Sequence, residues 1–110
     1  MSMNITRYPV IEAYFASEAG TAVDVLEDLF THDARVTDEG VTVCGIEAIK
    51  AWKRAAKHKY QYTVEPVESL ESDGLVIVKV RLSGTFPGSP AVVRFSFAVT
   101  DGLISALEIG

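Results

Sequence analysis

The sequence is poor in the residues that build covalent, metal-bound or membrane architecture. It holds a single cysteine, Cys44, so an internal disulfide is ruled out. One thiol also falls short of a thiolate metal site, and no second-ligand spacing surrounds it. A reducing compartment is the simplest setting, and the expectation is a cytoplasmic protein. The longest purely aliphatic run, Leu75-Val76-Ile77-Val78, is far too short to span a bilayer. The opening Met1-Ser2-Met3-Asn4 has no basic stretch leading into a long apolar run, so no signal peptide is expected. Positive charge is scarce too: 10 Lys and Arg stand against 15 Asp and Glu, a net charge of -5. Nucleic acid and anionic membranes both call for a basic face, so neither is an expected partner. Repeats, low-complexity tracts and linkers are also missing.

What is present reads as one globular domain over residues 1-110. Helical patterns fill the first half and strand patterns the second, which argues α+β rather than alternating β-α-β units. The spacing predicts a first helix from Pro9 to Glu18, with Val10, Ile11, Tyr14 and Phe15 on one apolar face and a left-handed Gly20 closing it. Thr21 then caps a second helix whose face carries Ala22, Val25, Leu26, Leu29 and Phe30. Asp33 to Asp38 reads as a short strand, Glu39-Gly40 as a turn, and Val41 to Cys44 as another short extended piece. Gly45 starts a third helix with a buried stripe of Ile46, Ile49, Trp52 and Ala56. Its outer face is expected to carry Lys50, Lys53, Arg54 and Lys57, which offset the negative helix end.

The rest is strand. Tyr60 to Leu70 alternates, with Tyr60 and Tyr62 on one face and a bulge or edge at Pro66. Asp73-Gly74 and Asp101-Gly102 signal tight hairpins between Leu75 to Ser83, Ala91 to Thr100 and Leu103 to Ile109. Alternation turns Lys79, Arg81 and Arg94 outward. Such a meander buries one sheet face and leaves the other for solvent or a second subunit.

Three stretches in this order resemble a known family. Leu29-Phe30-Thr31-His32-Asp33-Ala34-Arg35-Val36 is similar to an "LF-x-x-D-A-x-V" segment. Cys44-Gly45-Ile46-Glu47-Ala48-Ile49 is similar to an "x-G-x-E-A-I" helix start, and the final pair of strands completes the match. Together they resemble the SnoaL-like, ketosteroid isomerase-like branch of the nuclear transport factor 2-like superfamily. The resemblance implies a cone-shaped, cystatin-like fold: three N-terminal helices packed on a curved antiparallel sheet, with an apolar pocket between them. Members of that superfamily include isomerases, polyketide cyclases, epoxide hydrolases, dehydratases and non-catalytic binders, so the fold alone does not set the function.

Laid on the ketosteroid isomerase pattern, the resemblance puts Tyr14 at an oxyanion-donor position and Asp38 at the general-base position. The second donor position falls near Phe95, and phenylalanine donates nothing. Losing one such donor costs about 10²–10³ in turnover. Each residue also has a plainer role. Tyr14 suits a core tyrosine, and Asp38-Glu39-Gly40 suits a simple turn. Phe15, Phe30, Trp52, Tyr60, Tyr62, Phe95 and Phe97 are the aromatic set expected to line a pocket, with core packing as their other role. His32 and His58 are read as surface residues. No metal site, cofactor or phosphate-cradling glycine loop is expected. The expected function is binding of a small, mostly apolar cyclic or carbonyl-bearing ligand. Isomerase, cyclase or lyase-type acid-base chemistry would act on it; the alternative is a non-catalytic binding or assembly module. A homodimer through the sheet face is expected under either, using Val76, Val78 and Val80 or their neighbours.

Overall fold

Pro9 opens the first helix, where its missing N–H leaves no partner unmet. A computed structural model of the chain describes residues 8–20 and 23–110. Helix α1 spans Pro9–Ser17 and buries Val10, Ile11 and Tyr14, as the spacing predicts. It ends differently from expectation. Glu18 caps it in a right-handed conformation, and Gly20 is not left-handed. Thr21 and Ala22, expected to start a second helix, lie outside the described residues.

The second helix is a single 3₁₀ segment, Asp24–Asp28, that buries Leu26. Phe30, expected on that helix, instead begins strand β1, Phe30–Asp38. The cause is non-local: the Leu29 carbonyl accepts from the Ile104 N–H at 2.8 Å, and β1 lies parallel to the last strand. Apolar residues at helical spacing suit a 3₁₀ turn followed by a strand just as well. Along β1, Phe30, Ala34 and Val36 are buried, and Asp38 shares their parity.

Glu39 and Gly40 both take positive φ, 53° and 77°, and turn the chain into β2, Val41–Cys44. Asp73-Gly74 and Asp101-Gly102 form the same kind of turn between later strands. Helix α2 spans Ile46–Tyr60. Four strands follow: β3 Thr63–Ser72, β4 Leu75–Ser83, β5 Ala91–Thr100 and β6 Leu103–Ile109. The order across the sheet is β2-β1-β6-β5-β4-β3, antiparallel apart from the β1–β6 pair. Pro66 sits on the edge strand β3 beside a register shift, so both expectations for it are met.

This is an α+β fold in which the helices cover one face of a curved, open sheet. Val76, Val78 and Val80 on β4, Phe95 and Phe97 on β5, and Ile104 and Leu107 on β6 form the core with α1 and α2. The three valines are therefore unavailable as a dimer surface; the opposite face carries Lys79, Arg81, Val92 and Arg94. Among the described residues, no helix is long and apolar enough to cross a membrane.

Candidate functional site

Asp38 ends β1 on the inward parity of Ala34 and Val36, so the strand aims its carboxylate under α2. Trp52 of α2 meets it there. The indole Nε1 donates to Asp38 Oδ2 at 3.0 Å. Asp38 is thus a wall residue as well as the last residue before a turn. Glu39, left-handed, departs from strand alternation and reaches the same space; the Tyr60 hydroxyl donates to its Oε1 at 3.0 Å.

These groups border an open cavity of about 470 Å³, within the usual range for small-molecule sites. Trp52, Ala56 and Tyr60 of α2 form one side, and Tyr62 follows just after the helix. Leu82, Val93, Phe95 and Ile109 rise from the sheet, and Phe86 and Pro87 close the rim from the β4–β5 loop. The wall is chiefly apolar, with Asp38 as its half-buried charge.

Five of the expected residues meet here: Asp38, Trp52, Tyr60, Tyr62 and Phe95. Four do not line the cavity. Phe30 and Phe97 are core, Phe15 packs against that core, and Tyr14 is wholly buried among Phe15, Phe30, Phe95 and Phe97. Tyr60 and Tyr62 share the cavity, but not as neighbours on a strand face. Tyr60 ends α2, β3 starts only at Thr63, and the left-handed Gln61 between them redirects the chain.

Behind the cavity lies a polar cluster that the sequence reading missed. Lys53, expected on the outer face of α2, is 5% exposed. Its Nζ donates to the Tyr14 hydroxyl at 2.7 Å, to Glu18 Oε2 at 2.7 Å and to the Tyr62 hydroxyl at 3.2 Å. Tyr62 in turn donates to Glu18 Oε1 at 3.3 Å. Lys57 adds a second cation, 3.2 Å from Glu18 Oε1 and 2.7 Å from the Glu18 carbonyl oxygen. Lys50 is buried as well, held by Glu27 at 2.6 Å. A signal for Lys53 did exist: it falls four residues after Ile49 and three before Ala56, on the apolar stripe itself.

The charges in this cluster follow a simple count: two lysines share one carboxylate. Burial pushes the Glu18 carboxyl up, but Lys53 and Lys57 more than reverse this and leave it below its ordinary value. For Lys53, burial outweighs the pull of Glu18, helped by repulsion from Lys57, and its ammonium is lowered. Burial and the Glu18 charge raise the phenols of Tyr14 and Tyr62, so both stay protonated.

A family model for the SnoaL-like domain matches residues 11–106. No match was found among curated proteins. A solved protein from Sinorhizobium meliloti, provisionally described as a polyketide cyclase, is 39% identical, with a TM-score of 0.88 over 92% of this chain and 93% of that one. A Catenulispora acidiphila protein with a ketosteroid isomerase-like fold, solved with trimethylamine, is 21% identical, with a TM-score of 0.79 over 96% of this chain and 86% of that one. A provisional SnoaL-like polyketide cyclase from Jannaschia is 20% identical, with a TM-score of 0.77 over 100% of this chain and 89% of that one. The last two matches speak to the fold alone.

Proposed function

The chain belongs to the SnoaL-like domain family, and from that premise we propose that its cavity binds a small, mostly apolar cyclic ligand bearing a carbonyl group, on which Asp38 moves a proton at carbon. The observation that carries this reading is the Asp38 carboxylate in an otherwise apolar wall, held through Oδ2 by Trp52 Nε1 at 3.0 Å. Among the described residues no donor meets Oδ1, which leaves that oxygen to face a ligand.

In this reading Oδ1 takes a proton from the carbon beside the carbonyl, and the C–H electron pair moves through that carbon to the carbonyl oxygen, giving an enolate. The Asp38 carboxyl then returns the proton to a carbon of the same ligand, so the net change is an isomerisation or exchange. Trp52 fixes the direction of the carboxylate. The Tyr62 hydroxyl, on the wall and backed by Lys53, takes the enolate-steadying role expected of Tyr14 by turning its one proton from Glu18 Oε1, which keeps Lys53 and Lys57, to the enolate oxygen. Tyr14 contributes at one remove, through its bond to Lys53.

The non-catalytic binder is the second reading, favoured by Phe95, which donates nothing, near the place where the resemblance to the steroid isomerases puts their second donor. Deuterium incorporation into 2-tetralone and cyclohex-2-enone in D₂O, followed by NMR, separates the two. The proton-transfer reading predicts protein-dependent incorporation that falls about 10²–10⁴-fold in Asp38→Asn. Ketone binding without incorporation leaves the binder reading, and full incorporation in Asp38→Asn overturns the role of Asp38.

A further inference from the structure

The charged residues on the cavity wall are both carboxylates, Asp38 and Glu39. Each is met by a neutral donor, the Trp52 indole and the Tyr60 hydroxyl, at 3.0 Å. Among the described residues neither forms an ion pair. Glu18, Glu27, Glu65 and Glu68 do lie within 4.0 Å of a lysine or arginine, whereas Asp33, Asp73 and Asp101 resemble the cavity pair in having none among the described residues; what sets Asp38 and Glu39 apart is their place on a cavity wall. Among the described residues no lysine or arginine lies within 4.0 Å of either carboxylate, and Lys53 and Lys59 act on them only from farther away.

The surrounding rings add to that field. Trp52, Tyr60, Tyr62, Phe86 and Phe95 present π-systems to the cavity, and a ring face is electron-rich. At the mouth Tyr60 and Phe86 stand edge to face, centroids 5.9 Å apart at 86°. Exposed Lys59 places its Nζ 5.0 Å from the Tyr60 centroid, and the Glu39 charge acts on it. The other nearby cations, Lys53 at 4.6 Å from the Trp52 centroid and Lys57 at 4.2 Å from the Tyr62 centroid, are both committed to Glu18.

We infer that the ligand's apolar body carries a cationic ammonium group, seated at the mouth against Glu39, Tyr60 and Phe86, a proposal that rests on the small-molecule reading of the same cavity. The left-handed backbone at Glu39 lets two consecutive carboxylates serve one ligand: Glu39 binds the charge, and Asp38 faces the apolar body. An anionic ligand of the same shape is disfavoured by both.

Three probes of similar shape test the charge: phenyltrimethylammonium, neutral tert-butylbenzene and benzenesulfonate. Trp52 is the only tryptophan, so its indole N–H gives one resolved NMR signal from the cavity wall. The expected order is cation tightest, by about tenfold over the neutral probe, and anion weakest. Glu39→Gln should shrink the cation preference to within about threefold, and Lys59→Met should enlarge it. If tert-butylbenzene binds as tightly as the cation, or Glu39→Gln leaves the ratio unchanged, the charge inference is overturned while the cavity reading stands. If no probe moves the Trp52 signal, both fall.

Discussion

Glu18 and Asp38 are both carboxylates packed beneath helices, but their partners make them different devices. Glu18 has two lysines and two tyrosine hydroxyls around it and serves structure. Asp38 has one neutral N–H and lines the cavity. Removing Lys53 leaves Glu18 buried with Lys57 alone. Lys53→Met should cost about 3–5 kcal/mol in denaturant unfolding, and pairing it with Glu18→Gln should recover much of that loss. The pH dependence follows from the lowered Glu18 carboxyl. The unfolded chain takes up its proton first as pH falls, so the Glu18 contribution is full above the ordinary value of 4.5 and is lost as pH drops through the lower folded value. Glu18→Gln should therefore flatten the acid side of the stability profile; an unchanged acid limb would contradict this. Asp38, Trp52 and Phe95 were legible on the elements that carry them, whereas Tyr60 and Tyr62 were legible as residue types but expected on a strand that starts only at Thr63. Lys53 was not legible, because a charge on an apolar stripe reads as surface until Tyr14 and Glu18 arrive from another helix to satisfy it.

The elements were legible in proportion to how local their causes are. Helix α2, the tight hairpins and strands β4 to β6 follow from patterns a few residues long, and all appear. The segment before β1 depends on the Leu29–Ile104 bond, which spans most of the chain, and there helix was expected where a 3₁₀ turn and a strand form. The start of β3 is likewise set from a distance. The Thr85 N–H and hydroxyl both donate to the Tyr60 carbonyl, at 2.9 and 2.8 Å, tying the β4–β5 loop to the end of α2. Gly84 makes that approach possible, since a Cβ there would lie 2.8 Å from the Tyr60 oxygen and 2.9 Å from the Tyr62 Cα. Gly84→Ala should cost about 1–3 kcal/mol by denaturation and displace both tyrosines from the cavity wall. The second effect is checked by loss of the ligand-induced shift at the Trp52 indole. Unaltered stability and binding would show that the loop yields freely.

At the scale of the molecule, the curvature of one sheet divides the labour. The inner face carries Val76, Val78, Val80, Phe95 and Phe97 into the core and leaves the cavity between Phe95 and α2. The outer face keeps Lys79, Arg81 and Arg94, with Val92 58% exposed among them. We propose that this outer face joins two copies. Light scattering should give a dimer at micromolar concentration, and a clean monomer would contradict it. Which face is concave could not be read from alternation, because β4 and β5 place apolar residues on both parities; helix packing decides it. The most direct test of the whole account is a crystal structure with 2-tetralone bound. The account predicts the ketone inside the cavity, its α-carbon about 3–3.5 Å from Asp38 Oδ1 and its ring against Trp52 and Phe95. A ketone seated elsewhere, or in the cavity with Asp38 turned away from it, would contradict the claim.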